Sequence, residues 1–373
     1  MSDVPVDEIL ALLEPDVERL RKGRERMAQI WWNREPDVLP VLAGAGEVPE
    51  RERYPHYTLE EQFDDREKML VEHLWGMIGT ARGTGDGQLT IRVNFGVGFI
   101  PSLFGLKSRF VQADQMPWVI GHLSREEIAH LEVPDVRSAG LMPRALETLS
   151  YFKEKLDGKA HVYLSDTQGP FDIAHLLRGH ELYYDVYDDP EFVHRLMDVA
   201  TETYIAASKV MKEAIGEPLD EGYHGGMVME HGGVRVCDDS SINLSDAMFR
   251  EFVQPYMARV LKPFGGGWYH FCGNGKHLLN SILDIEEVRG INFGNPERYD
   301  FAEVLPEVLK RGKFYVGAIP PKQGEDAAAY RDRILGYLDG ARKGLILQSI
   351  AVGEGESARE AVEIWRGRTV TCW

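Results

Sequence analysis

Eight short apolar runs, each too brief for a helix and each followed by a helical stretch, constrain this chain more than any other feature. They are Val38–Ala43, Leu89–Phe95, Ala160–Ser165, Val234–Cys237, Trp268–Cys272, Val288–Phe293, Phe314–Ile319 and Leu345–Ile350. Helical patterns such as Pro190–Ile215, Ser245–Leu261, Phe301–Arg311 and Ala327–Ala341 lie between them. Strands that are apolar throughout are buried on both faces, as in a parallel sheet covered by helices. Eight such units predict an α/β fold of the (β/α)8 TIM-barrel type. A doubly wound open sheet is the competitor, but it usually has fewer strands and often a Gly-rich phosphate turn after its first. Ala43-Gly44-Ala45-Gly46 follows the first run, yet Glu47-Val48-Pro49 denies it a helix amino terminus. It reads as a plain turn.

Residues 7–34 carry Ile9, Leu10, Leu12, Leu13, Val17 and Leu20 near helical spacing, so 1–37 is expected to be a helical extension. Segment 44–88, with a helix near Glu60–Arg82, reads as an elaborated connection. There is no internal repeat, low-complexity tract or linker, and 1–373 is expected to be a single domain. The 60 acidic and 42 basic residues give a formal charge of −18, a field that repels phosphate backbones and anionic lipid. Nucleic acid and membranes are therefore excluded as partners, and a small-molecule substrate is left. Three cysteines are too few for a disulfide scaffold. With no apolar run near the roughly 18 residues of a membrane span and no signal-like amino terminus, a cytoplasmic, reducing location is expected.

In barrels of this type chemistry gathers where strands end. There His270 and Cys272 stand two residues apart in Gly-Gly-Gly-Trp-Tyr-His-Phe-Cys-Gly, so in a strand both point to one face. Imidazole plus thiolate is a donor set that zinc favours, and a catalytic zinc needs three protein ligands and an open position. Cys237, ending the neighbouring run, is the candidate third ligand. Alternation lets only one of Cys237 and Asp238 face inward, and Asp238 is the favoured one, either completing the metal shell or positioning substrate. Asn292 is expected to orient substrate. Glu230 is a further candidate catalytic carboxylate, with His224 and His231 beside it in the Gly-rich approach to Val234. Each of these, taken alone, is matched by ordinary turn or core chemistry. His180 reads as structural or a pocket wall, and Cys372 as inert. Gly-x-Ser-x-Gly and Walker signatures are absent.

Several segments resemble the uroporphyrinogen decarboxylase superfamily, which includes the methylcobalamin:coenzyme M methyltransferases. Arg34-Glu35-Pro36-Asp37-Val38-Leu39-Pro40-Val41 is similar to the family's lead into its first strand. Gly169-Pro170-Phe171 with Leu176–Glu181, Tyr187-Asp188-Asp189-Pro190-Glu191, and Asp238 through Tyr256 are similar as well. His270-x-Cys272-Gly273 is the most specific match, because the methyltransferase branch uses that His and Cys as zinc ligands. The resemblance implies a TIM barrel. It further implies a zinc-dependent enzyme moving a methyl group from a corrinoid protein to a thiol, as a monomer or homodimer. Alternatives are a decarboxylase or other lyase acting on a smaller acid, or a non-catalytic corrinoid-protein partner. No Asp-x-His-x-x-Gly stretch occurs, so a corrinoid would come from that partner. Two departures matter. No arginine lies in Leu39–Glu47, where porphyrinogen decarboxylases carry theirs. Val352 stands where the methyltransferases place a third zinc-binding cysteine, so Asp238, Glu230, Cys237 or an upstream histidine must replace it.

Overall fold

The computed structural model describes residues 4–367; Cys372 lies outside the described residues. Among the described residues the strands are β1 (Thr90–Arg92), β2 (Lys107–Arg109), β3 (Trp118–Ile120), β4 (His161–Tyr163), β5 (Gly222–His224), β6 (Met227–Met229), β7 (Val234–Cys237), β8 (Gly267–Phe271), β9 (Val288–Phe293), β10 (Phe314–Gly317) and β11 (Leu345–Leu347). The last five form one parallel sheet in the order β11-β10-β9-β8-β7, and β1 pairs with β4 in parallel. β2–β3 and β5–β6 are antiparallel hairpins. The chain is thus mixed α/β, with parallel strands alternating with helices around one hydrophobic core that runs from Val6 to Trp365.

All eight apolar runs take part, most of them trimmed. The first shrinks to a single parallel bridge, Val41 with Leu347, because Pro40 has no N–H to extend a ladder. Asp86, at the end of the long connection, secures it instead. Its carboxylate accepts from Val41 N at 3.0 Å while its own N–H donates to Val41 O at 2.7 Å. The same buried carboxylate holds Arg26 at 2.6 Å and Arg366 at 3.1 Å. Helical runs also break where backbone donors fail. The expected 7–34 helix is Val6–Leu10 and Val17–Trp31 on either side of Pro15, and Ser245–Leu261 is two helices that part at Val253, two residues before Pro255. The hairpins were not legible in the sequence pattern. The β5–β6 pair takes a hydrogen bond from Trp31 Nε1 to Val228 O at 2.7 Å and so ties the amino-terminal extension to the strands.

The register of β7, β8 and β9 positions the site. Cys237 pairs with His270, and His270 with Asn292, beyond a bulge between Gly267 and Trp268. The glycine run before β8 permits that approach: Gly266 has φ +113°, and a Cβ there would lie 2.6 Å from Glu287 O. Residues in register on parallel strands point to the same face, so Cys237, His270 and Asn292 form a row.

Removing Asp86 leaves Val41 N unpaired and takes one of two carboxylate partners from each of Arg26 and Arg366, which keep Asp37 and Glu363. Asp86→Ala is expected to cost about 1–3 kcal/mol in urea unfolding; a change under about 0.5 kcal/mol would contradict this role for the carboxylate.

Candidate metal centre

Three successive rows of side chains cross β7, β8 and β9 and the turns that follow them. The lowest holds Arg235 and Trp268, with the guanidinium 5.5 Å from the indole centroid. Next come Cys237, His270 and Asn292. Above them, Asp239 Oδ1 accepts from Cys272 N at 2.6 Å. Gly294 lies opposite Cys272, where a Cβ would come 2.5 Å from the thiol sulfur. One ligand atom each from Cys237, Asp239 and His270 lies within 4.8 Å of the other two. Cys272 Sγ is 3.6 Å from His270 Nε2 and faces the open side.

Hydrogen bonding fixes which imidazole nitrogen faces this group. Asn292 Nδ2 donates to Val316 O, so its Oδ1 faces His270 Nδ1 and must accept from it. Nε2 then keeps its lone pair toward Cys272 and Asp239, the arrangement in which a histidine presents itself to a metal. Burial, with Arg235 nearby, holds the His270 pKa at about 4, so the ring is neutral. Burial and Asp239 push the Cys272 thiol up to about 11, and burial pushes Cys237 well above its usual range. A divalent cation would reverse both thiol shifts, since a coordinating thiol is deprotonated. The donor set of one imidazole, two thiols and a carboxylate fits zinc.

Beneath the cluster, Arg92 and Arg235 share one carboxylate. Asp166 lies 3.9 Å from the first and 3.7 Å from the second, with Gln168 donating to it at 2.6 Å. Among the described residues, buried Arg235 Nε and Trp268 Nε1 have no hydrogen-bond partner. His224 closes the floor against Trp268, its ring 5.2 Å away. Sequence reasoning missed Arg92 and Arg235; their charge inside otherwise apolar runs was the available signal.

The expected orientation at the end of β7 is reversed. Asp238 faces away from the cluster: alternation puts Cys237 and Asp239 on the site face and Asp238 on the other. Its fully buried carboxylate accepts from Asp172 N at 2.8 Å and lies at the amino terminus of helix Pro170–Arg178, close against Gly169. Burial and Asp172 raise its pKa well above the usual range, and Asp172 itself rises to about 7. Asp238 thus lies against a helix end. Glu230 is not brought to the site either. It precedes β7, at the opposite end from Cys237, and is 3.6 Å from Arg24 of the extension. His231 stacks there on Trp32. His180 is an exposed partner of His175, at 3.2 Å. Val352 is exposed on the loop after β11.

Comparison with known proteins places the chain in a family. The family model described as Uroporphyrinogen decarboxylase (URO-D) matches residues 24–217, more than half of the chain. The chain belongs to the uroporphyrinogen decarboxylase family. Methylcobamide:CoM methyltransferase MtbA of Methanosarcina acetivorans is 25% identical over 235 residues, 61% of this chain and 62% of the relative. The match thus spans less than two thirds of that relative's length. A solved methyltransferase from Methanosarcina mazei superposes with TM-score 0.62 at 16% identity, covering 92% of this chain and 98% of that one. At that identity the likeness is one of fold. No helix among the described residues is long and apolar enough to cross a membrane.

Two outcomes follow. Burial holds His73, His175 and His270 near pKa 4 against about 6.5 unfolded. At these rings the unfolded chain binds more protons between those values, a contribution that destabilises metal-free protein as pH falls from 6.5 to 4, while the raised Asp172 and Asp238 act in the opposite sense. The three imidazoles should stay neutral down to about pH 4 in an NMR titration of the metal-free protein; protonation near 6.5 would contradict this. Asp238→Ala should destabilise by about 1–3 kcal/mol through orphaned helix amides yet leave bound metal unchanged by elemental analysis. Metal loss would return Asp238 to the site.

Proposed function

We propose that this chain is a zinc-dependent methyltransferase, moving a methyl group from a corrinoid carried on a partner protein to a thiol or related acceptor. The observation that carries the reading is the convergence of His270, Cys272 and Cys237 at the carboxyl ends of β7 and β8, in a family whose relatives include methyltransferases. The scaffold is read as one domain, a closed (β/α)8 barrel. Support comes from Asp86 joining the first run to the connection before β1, the β1–β4 pairing, and the hydrogen bond from Gly169 N to Cys237 O.

His270, Cys272 and Cys237 would hold the zinc, and Asn292 fixes the His270 tautomer that leaves Nε2 free for it. Bound there, zinc would act as a Lewis acid that lowers the pKa of an acceptor thiol to give a thiolate at neutral pH. Arg92 and Arg235, only loosely neutralised by Asp166, suit an acidic group on the acceptor and would orient it beneath the cluster. Trp268, with its ring against Arg235, walls that space from water.

The same two arginines favour a second reading, decarboxylation of a small acid, with the guanidinium groups on the carboxylates that stay. The readings separate in one assay. Purified protein supplied with methylcobalamin and a small thiol should demethylate the cobalamin, followed by its absorbance change. His270→Ala and Cys272→Ser should each lower that rate by at least about 100-fold, as expected when a metal ligand is lost. Full activity in either variant would sink the methyl-transfer reading, and carbon dioxide release from acid substrates would support the second.

A further inference from the structure

The three ligands named for the proposed metal site leave one corner to be filled. We propose that Asp239 fills a corner of that site as a fourth ligand. The ion is then held by two i, i+2 pairs on adjacent strand ends: Cys237 and Asp239 at the end of β7, His270 and Cys272 at the end of β8. This rests on the methyltransferase reading and goes beyond it: the set is closed at rest, and the acceptor thiol would take the corner that Asp239 gives up.

The distances carry the assignment. Tetrahedral zinc with nitrogen, oxygen and sulfur ligands at 2.0–2.3 Å has ligand-to-ligand edges of about 3.3–3.8 Å. Asp239 Oδ1 lies 3.6 Å from Cys237 Sγ and 3.9 Å from His270 Nε2, and Cys272 Sγ is 3.6 Å from the same nitrogen. Three edges of a four-donor polyhedron are therefore present at nearly their final lengths before any ion is placed. Among the described residues no Lys or Arg reaches within 4 Å of the carboxylate, whose one ion-pair contact is with His270. Strand alternation forces the pairing: whatever brings Cys237 to face His270 brings Asp239 to the same side, because the two share one face. The resulting set is one nitrogen, one oxygen and two sulfurs, with three negative charges on a divalent ion. Arg235, below Cys237, supplies the nearest countercharge.

A purely positioning role is the rival, since Asp239 Oδ1 also accepts from Cys272 N. Asp239→Asn separates the two: the amide oxygen keeps that hydrogen bond, while the anionic ligand is lost. Zinc affinity of the full-length protein is measured by chelator competition, and cobalt(II) absorption reports the bound thiolates. Asp239→Asn should weaken zinc by at least about tenfold, the least expected for a residue supporting a metal site. At saturating cobalt it should keep the wild-type thiolate-to-cobalt charge-transfer band and shift the visible bands. Affinity and visible bands equal to wild type, in a variant whose metal-free unfolding midpoint is unchanged, would overturn the assignment. If the wild-type protein binds no metal, the methyltransferase reading fails and takes this one with it. If it binds metal and Asp239→Asn is silent, this inference alone fails.

Discussion

One row of the parallel sheet carries the rest of the site. Cys237, His270 and Asn292 are in register on β7, β8 and β9, and Asn292 continues the row by donating to Val316 O on β10. A slip of one residue at any ladder would turn every side chain of that strand to the other face. The bulge at Gly267/Trp268 and the glycine run before it set this register, so a backbone feature with no side chain determines where an imidazole meets a thiol. The main-chain hydrogen bonds of the ladder hold the row whether or not an ion is present, and that is the preorganisation a metal site needs.

The consecutive carboxylates Asp238 and Asp239 show how far that row reaches. They are the same residue type on the same turn, yet one is fully buried against a helix end and the other reaches the mouth beside Cys272. Asp238 meets helix amides and a second buried carboxyl, so its surroundings favour the protonated form. Asp239 has a backbone N–H, a neutral imidazole and thiols around it, an environment that leaves an anion in want of a cation. Nothing in the composition of the pair separates them. The face of the strand does.

The sequence carried the architecture well and the site in part. The eight apolar runs appear in order because burial on both faces leaves an unmistakable mark, and helix Pro190–Ile215 has the boundaries its caps predict, Asp189 before it and Gly216 after it. Breaks at Pro15 and before Pro255 were visible as residues but were outweighed by the apolar period. The His270-x-Cys272 spacing was readable, since period two is a local property. The choice between Cys237 and Asp238 was not, because it depends on where β7 ends and on the helix at Pro170 that claims Asp238. Glu230 was drawn in by its glycine-rich surroundings, which serve a hairpin at the other end of the strands. Asp239 and the arginine pair on Asp166 are long-range products of folding with no local period. Membership of the uroporphyrinogen decarboxylase family agrees with the motif resemblance.

Four donors at the ends of β7 and β8 are proposed to surround one ion. Anomalous X-ray scattering collected on either side of the zinc absorption edge, from crystals of the protein grown with zinc, tests this most directly. A single strong peak enclosed by Cys237, Asp239, His270 and Cys272 is expected. No peak there, or a peak bound elsewhere on the chain, would contradict it.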